Sequence, residues 1–331
     1  MIKKSIIFIL LICSFVTLEN AFSQQVYSDK LAHTFSIVAR DPETGQMGVA
    51  VQSNWFSVGS LVSWAESGVG AVATQSFVNV SFGPRGLELL KQGKTAPEAL
   101  KILIDSDEGR DVRQVAIIDA QGNVAAHTGT KCIAEAGHII GDNFSVQANM
   151  MLNDSVWPAM KKAFQETKGP LAERMVAALE AAQSEGGDIR GQQSAAIFVV
   201  KGKSTGKIWE DRIIDLRVED HPDAVQEIKR TLRVYRAYEY MNAGDLALEH
   251  NDIEAALDAY STAEAMFPEN LEMKYWHAIC LANTGSLEEA LPMFKAIFAK
   301  DNHWRILTKR LLKPGLLTVT PEELDRIIEV K

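Results

Sequence analysis

The pattern of the sequence changes near residue 220, and this change constrains the fold more than any other feature. Before it, short β-branched and apolar runs such as residues 34–40 alternate with stretches of helical spacing. Beyond Asp220 the pattern is almost wholly helical, and Pro222 suits the first turn of a helix. The sequence therefore predicts two domains, residues 34–220 and residues 221–331.

Strand and helix signals in the first domain come in groups: strands, two helices, strands, two helices, strands. The predicted strands are residues 34–40, 47–52, 69–75, 112–119, 123–128, 193–200 and 207–216. The predicted helices are residues 83–92, 95–105, 154–164 and 170–184. Paired helices between groups of hairpin strands are typical of helices on the outer faces of two stacked antiparallel sheets. We therefore predict an α+β fold, a four-layer αββα sandwich, rather than a doubly wound sheet.

Residues 34 positions apart in the second domain share their character. The matching pairs are Ile253 and Leu287, Ala256 and Ala290, and Tyr260 and Phe294. This is the period of tetratricopeptide helix pairs, and Pro268 closes the first repeat as that pattern expects. Lys274, His277 and Asn302 depart from it. We predict an all-α tetratricopeptide-like domain, with a plain pair of helical hairpins as the alternative.

The first 23 residues have the features of a secretory signal peptide. Lys3 and Lys4 precede the apolar residues 5–16, and the small-x-small triplet at residues 21–23 follows. The apolar run is shorter than the roughly 20 residues of a membrane-spanning helix, so cleavage is favoured over a retained anchor. The sequence predicts an exported protein, periplasmic or extracellular, that lacks residues 1–23.

Charge and cysteine content restrict the partners and cofactors. The formal net charge is −9 and the chain has no long Lys/Arg block, which argues against nucleic acid and anionic lipid as partners. Cys132 and Cys280 remain beyond the signal; a disulfide between them is one alternative, but buried free thiols are the preferred interpretation. The histidines are scattered, and CxxC and HExxH motifs are absent, so we predict neither a metal site nor a cofactor.

A series of motifs in the first domain resembles a bacterial family known as domain of unknown function 1028. They are residues 34–42, 48–53, 68–75, 82–86, 187–196 and 220–223. The resemblance implies membership of the N-terminal-nucleophile (Ntn) hydrolase superfamily. The αββα fold of that superfamily agrees with the layer pattern predicted above.

Under this resemblance Thr34 is the nucleophile. Ntn chemistry needs a Thr, Ser or Cys at the start of the first strand, because the free α-amine of that residue accepts the side-chain proton. An unperturbed α-amine titrates near ~7.7–8.0, whereas an amide nitrogen cannot act as a base. Residues 24–33 stand between the signal and Thr34, so a second cut at His33–Thr34, by self-processing or another protease, is required. Without it, Thr34 is a β-branched residue in a sheet.

Three further residues are candidates for catalytic roles. Ser53 and Asn54 end the second strand, where either side chain can donate to an oxyanion, although both types are also common turn formers. Asp188 follows a double glycine and can orient the nucleophile amine. The alternative is that Asp188 and Arg190 form an ion pair that closes a loop.

Five residues are candidates for substrate binding: Gln75, Asn79, Arg85, His127 and Arg190. The side chains of Gln75, Asn79 and Arg85 suit amide or carboxylate groups, and the imidazole of His127 can act as an acid or a base. Turn capping, salt bridges and local hydrogen bonds are their alternative roles.

These features lead to two hypotheses. The first is an exported Ntn-type amidohydrolase acting on a small amide or peptide-like substrate. The second is a non-catalytic Ntn-like binding protein whose helical repeats hold a protein, peptide or cell-envelope partner. Both allow a homo-oligomer.

Overall fold

The structure is a computed structural model that describes residues 30–330. The predicted signal peptide, residues 1–23, lies outside the described residues, as do residues 24–29 of the predicted leader. The chain divides into two compact units: unit 1 ends at Thr231 and unit 2 begins at Leu232. The domain limits given above, with a boundary at residue 220, stay a prediction. In the described part of the chain, no helix is long and apolar enough to span a membrane.

Unit 1 contains two antiparallel sheets. Its strands are β1 (Lys30–Ala32), β2 (Thr34–Arg40), β3 (Met47–Ser53), β4 (Ser63–Glu66), β5 (Gly70–Val78), β6 (Arg113–Asp119), β7 (Val124–Thr128), β8 (Gly137–Gly141), β9 (Phe144–Ala148), β10 (Ser194–Val200) and β11 (Arg212–Val218). Sheet A has the order β1-β5-β6-β7, with β4 also paired to β5. Sheet B has the order β11-β10-β3-β2-β9-β8.

The α-helices of unit 1 that precede residue 220 are α1 (Gly59–Val62), α2 (Phe82–Lys91), α3 (Ala96–Asp105), α4 (Val156–Glu166), α5 (Leu171–Ser184) and α6 (Ile208–Asp211). The four longer ones, α2 to α5, cover the outer faces of the two sheets. α2 and α3 pack on sheet A, α4 and α5 pack on sheet B, and β2 and β3 face β5 across the centre. Val38, Val49, Ala73 and Ile118 belong to the core between the sheets. The predicted four-layer αββα architecture is confirmed.

Four strands were absent from the sequence prediction: β1, β4, β8 and β9. In β9 all five residues are buried, including Ser145 and Gln147. Because buried strands usually carry apolar residues, these polar ones conceal the strand. Asn143, with φ +62°, makes the turn that joins β8 to β9. The predicted strand at 207–216 also begins later, since residues 208–211 form α6.

The described residues of unit 2 form helices joined by loops. α7 (Ala224–Glu249) crosses the unit boundary and is followed by α8 (Ile253–Met266), α9 (Leu271–Asn283), α10 (Leu287–Lys300), α11 (His303–Arg310) and α12 (Pro321–Glu329). Most of the residues that define the 34-residue repeat are buried: Ala256, Tyr260, Leu287, Ala290 and Phe294. Ile253 is the exception, with 39% exposure. The helical second region predicted from the repeat is confirmed.

Replacing Gly244 with leucine should destabilise unit 2. A Cβ at Gly244 would lie 2.9 Å from the Tyr260 ring, inside van der Waals contact. We expect Gly244→Leu to lower the free energy of unfolding by about 1–3 kcal/mol, the usual cost of overpacking. Thermal unfolding measures this, with Ala299→Leu on an exposed position of α10 as the control. Equal stability of the two variants would contradict the close packing at Gly244.

Candidate functional site

Thr34 lies at the start of β2, in the middle of sheet B. β2 runs between β3 and β9, and Thr34 is the register partner of Ser53. The residue is fully buried, and its Oγ1 donates a hydrogen bond of 2.6 Å to the carbonyl oxygen of Ala32. This hydrogen bond spans the His33–Thr34 peptide bond, so the hydroxyl lies beside the bond whose cleavage the Ntn mechanism requires.

The residues just before His33 belong to the other sheet. β1 is antiparallel to the end of β5, with Ala32 opposite Ser76 and Lys30 opposite Val78. Because Thr34 already belongs to sheet B, the chain crosses from one sheet to the other at His33. The predicted cleavage site is therefore held on both sides by strand pairing.

Two side chains donate to the carbonyl oxygen of His33. Ser53 Oγ donates at 2.5 Å and Arg190 Nη2 donates at 3.0 Å. A hydroxyl and a guanidinium directed at one carbonyl oxygen stabilise the negative charge that forms there when the carbon is attacked. Ser53 and Arg190 are thus the candidate oxyanion site at the bond preceding Thr34.

Asp188 holds Arg190 in this position. The guanidinium of Arg190 contacts both carboxylate oxygens of Asp188, at 2.7 and 3.0 Å, in a bidentate pair. The Asp188 side chain is fully buried and also accepts from the backbone N–H of Asn54 at 3.2 Å. The Asn54 side chain donates to the Arg190 carbonyl oxygen at 2.9 Å. These contacts restrict the rotamers of Arg190. The loop that contains Asp188 therefore determines the direction in which the guanidinium donates to the His33 carbonyl oxygen.

A buried network of amide and hydroxyl side chains lies on the other side of Thr34. Its members are Ser36, Gln75, Gln114, Gln147 and Asn149, all with 0% exposure. Gln75 Nε2 donates to the Thr34 carbonyl oxygen at 3.2 Å and to Gln114 Oε1 at 2.6 Å. The backbone N–H of Asn149 donates to the same Thr34 oxygen at 3.1 Å. A satisfied network of this kind fixes the backbone of Thr34 between the two sheets.

The imidazole of His33 occupies a closed slot. His33 is 1% exposed, and its ring meets Phe77 edge-on with 5.5 Å between centroids. Its Nδ1 forms a 2.8 Å hydrogen bond with Asn149 Oδ1, which requires the protonated nitrogen to be the donor. Burial lowers the pKa of His33 and outweighs the opposing effect of this hydrogen bond, so the neutral imidazole is favoured.

A cavity of about 560 Å³ adjoins the far end of the network. Residues 128–138 supply its walls, including Cys132 and His138. Thr128 Oγ1 links the network to the cavity, because it accepts from Gln114 Nε2 at 2.9 Å and contacts His138 Nδ1 at 2.8 Å. Burial raises the pKa of the free Cys132 thiol, so the thiolate is disfavoured there.

The structure brings together six of the residues selected from the sequence: Thr34, Ser53, Asn54, Gln75, Asp188 and Arg190. The other three lie elsewhere, each with a local partner. Asn79 Oδ1 accepts from the Ser81 hydroxyl at 2.8 Å in a turn, and Arg85 donates to Ser106 Oγ at 3.0 Å. His127 Nε2 contacts the Arg110 carbonyl oxygen at 2.9 Å.

Sequence reasoning missed His33, Gln114 and Asn149. Gln114 lies in a buried strand, and Asn149 directly follows one. A polar residue within or next to a buried strand is the only sequence signal that marks these two residues. Within residues 30–330, no group of three or more His, Cys, Asp or Glu side chains is arranged to hold a metal ion.

We expect the uncleaved chain to lose stability as the pH falls below about 6.5. Burial lowers the pKa of His33 and His138 from the usual 6.5, so the unfolded chain binds protons that the folded chain does not. The free energy of unfolding therefore increases as the pH rises from the lowered pKa values to 6.5. The stability that the two neutral histidines contribute is lost as the pH falls through the same window. Urea unfolding at about pH 7.5 and about pH 5.5 measures this. His33→Gln should show a smaller fall than the wild type, and an equal fall would contradict the role of His33.

Comparisons with known proteins cover both units. The profile of a family of unknown function (DUF1028) matches residues 34–228, and a tetratricopeptide repeat profile matches residues 241–302. The crystal structure of a DUF1028 protein from Silicibacter pomeroyi is 30% identical, with a TM-score of 0.55 over 61% of this chain and 88% of its own. Anbu (ancestral beta-subunit) from Yersinia bercovieri is 13% identical, with a TM-score of 0.30 over 60% of this chain and 92% of its own. No curated protein matches.

Proposed function

The chain belongs to the DUF1028 family, as its motifs predicted, and from this premise we propose that it is an Ntn-type amidohydrolase activated by cleavage of the His33–Thr34 bond. The surroundings of the His33 carbonyl group support this proposal most. The group directly precedes Thr34, and its oxygen accepts hydrogen bonds from Ser53 and Arg190. Nucleophile and oxyanion donors meet at one peptide bond, which is the arrangement that acyl transfer needs.

Activation proceeds in two steps. Thr34 Oγ1 attacks the His33 carbonyl carbon, the C–N bond breaks, and the hydroxyl proton ends on the departing nitrogen. The product is an ester of His33 with the Thr34 hydroxyl and a free α-amine. Water then hydrolyses the ester to give the His33 carboxylate and the Thr34 hydroxyl. Asp188 supports both steps by holding the guanidinium of Arg190 on the oxyanion.

The same groups serve the mature enzyme. The free amine of Thr34 accepts the hydroxyl proton while Oγ1 attacks a substrate amide carbonyl, and the amine then gives the proton to the leaving nitrogen. Water hydrolyses the resulting ester, which releases the acid and restores the Thr34 hydroxyl. Ser53 and Arg190 stabilise the oxyanion in this reaction as well. The expected substrate is a small amide or a peptide-like molecule.

The mature N-terminus tests the proposal. Intact-mass analysis of the purified exported protein should give a chain that begins at Thr34. Mild periodate should then remove the Thr34 side chain, because periodate cleaves between carbons that carry a free amine and a hydroxyl. A chain that begins at Gln24, resists periodate and hydrolyses no amide would instead support the non-catalytic binding protein.

We place the active protein outside the cytoplasm, on the strength of the signal-like residues 1–23. Fractionation should find the mature chain in the periplasm or the medium, and full-length chain in the cytosol would contradict export.

The helical region is proposed to bind a protein partner. Its support is the tetratricopeptide match at residues 241–302, since stacked helical repeats form extended binding surfaces. Crosslinking of the exported protein in intact cells should capture a partner with the wild type, and removal of residues 241–331 should abolish capture.

A further inference from the structure

The leader is bound as a substrate would be bound. Its backbone pairs with β5 through Lys30, Leu31 and Ala32, opposite Val78, Phe77 and Ser76. Its last carbonyl, that of His33, lies in the oxyanion site. An extended peptide that adds a strand to a sheet edge is a known way for proteins to bind peptides, with the backbone giving affinity and pockets giving specificity.

The edge that β1 occupies is open to another strand once the leader leaves. β6 pairs with the opposite edge of β5, from Gly70 to Ser76. β4 covers residues 70–73 on the near side, and β1 covers residues 76–78. Release of β1 would leave the backbone groups of residues 76–78 unpaired beside Thr34. Such an edge is a template for an incoming strand.

The slot of His33 supplies a reason for side-chain selectivity. Phe77 presents its ring to the imidazole, and Asn149 Oδ1 accepts from Nδ1. An aliphatic side chain would leave this buried amide oxygen without its donor, which is costly. The slot is therefore matched to a flat side chain with a hydrogen-bond donor.

We infer that the mature enzyme takes peptide substrates in the manner of its own leader: the acyl part pairs with β5 at residues 76–78, a histidine fills the slot between Phe77 and Asn149, and the bond after that histidine is cleaved. This inference rests on the proposed function and specifies its substrate class. The leader is then the first substrate of the chain, and it blocks the site until it is released.

The test compares two fluorogenic peptides with the mature exported protein. One is acetyl-Lys-Leu-Ala-His linked through its carboxyl group to aminocoumarin, and the matched peptide carries Ala in place of the final His. We expect kcat/KM to be at least about tenfold higher for the histidine peptide, since a slot that hydrogen-bonds its ligand discriminates strongly. Phe77→Leu should lower the ratio of kcat/KM between the histidine and alanine peptides. The free acid acetyl-Lys-Leu-Ala-His should inhibit competitively, and more strongly than its Ala counterpart.

The outcomes separate the two proposals. Equal hydrolysis of the two peptides would overturn the leader-based specificity and leave the amidohydrolase intact. A third amide, acetyl-alanine aminocoumarin, serves as a short substrate without the leader sequence. If it alone is hydrolysed, the leader-based specificity is likewise overturned and the amidohydrolase stays intact. A chain that keeps its leader and hydrolyses none of these amides would overturn the proposed function, and this inference with it.

Discussion

Thr34→Ala should leave the leader attached and abolish amidase activity, whereas Thr34→Ser should retain both reactions at a reduced rate. The alanine variant lacks the oxygen that attacks the His33 carbonyl in the proposed mechanism. Serine keeps that oxygen and loses only a methyl group. The fold should survive, because the loss of one hydrogen bond and a methyl group costs about 1–2 kcal/mol.

Mass spectrometry gives the clearest measurement of this effect. If cleavage is self-catalysed, wild type and Thr34→Ala should differ by the leader, residues 24–33, in addition to the substituted atoms. If another protease makes the cut, both should begin at residue 34, and only the amidase activity should be lost. Wild type that keeps its leader and still hydrolyses amides would contradict the mechanism, because Thr34 would then lack a free amine.

The overall architecture was predictable because it depends on local patterns. Paired helices between groups of strands indicated the four layers, and the 34-residue spacing indicated the helical repeats. The cap of α3 is equally local, since Thr95 and Glu98 form a capping box at its start. These signals lie within a few residues of one another, so the sequence displays them directly.

The site was predictable only in part because its remaining residues meet through long-range pairing. Asn149 contacts His33 across 116 positions of the chain, and Gln114 contacts Asn149 across 35. Such pairs depend on strand order and register, which the sequence does not display. β1 escaped prediction for a different reason. A three-residue strand is too short for a periodic pattern, and only its partner β5 defines it.

The position of β1 changes how the ten-residue leader is understood. From the sequence, residues 24–33 were an obstacle between the signal and the nucleophile. In the structure, residues 30–32 pair with β5, and the carbonyl oxygen of His33 accepts hydrogen bonds from Ser53 and Arg190. Thr34 lies inside the chain rather than at its N-terminus, and this position agrees with Ntn chemistry if the chain cleaves its own His33–Thr34 bond. In the proposed mechanism this self-cleavage depends on the oxyanion site.

Ser53→Ala should slow the cleavage of the leader by about 10²–10³-fold, the usual effect of removing one oxyanion donor. Ser53 Oγ donates to the His33 carbonyl oxygen, and alanine leaves Arg190 Nη2 as the remaining side-chain donor to that oxygen in the described chain. Amidase activity of the mature form should fall by a similar factor. Pulse–chase measurement of the precursor gives the first rate, and hydrolysis of a fluorogenic amide gives the second.

Ser194→Ala is the matched control for this prediction. Ser194 is also buried and lies opposite Ser53 in the neighbouring strand, but its Oγ donates to the Trp55 carbonyl oxygen and accepts from Val58. Its loss should cost stability, at about 1–3 kcal/mol for unpaired buried groups, without slowing cleavage in the fraction that is folded. If both alanine variants slow cleavage equally, Ser53 acts through packing and the oxyanion assignment is wrong. If Ser53→Ala alone slows it, the hydroxyl acts on the carbonyl that Thr34 attacks.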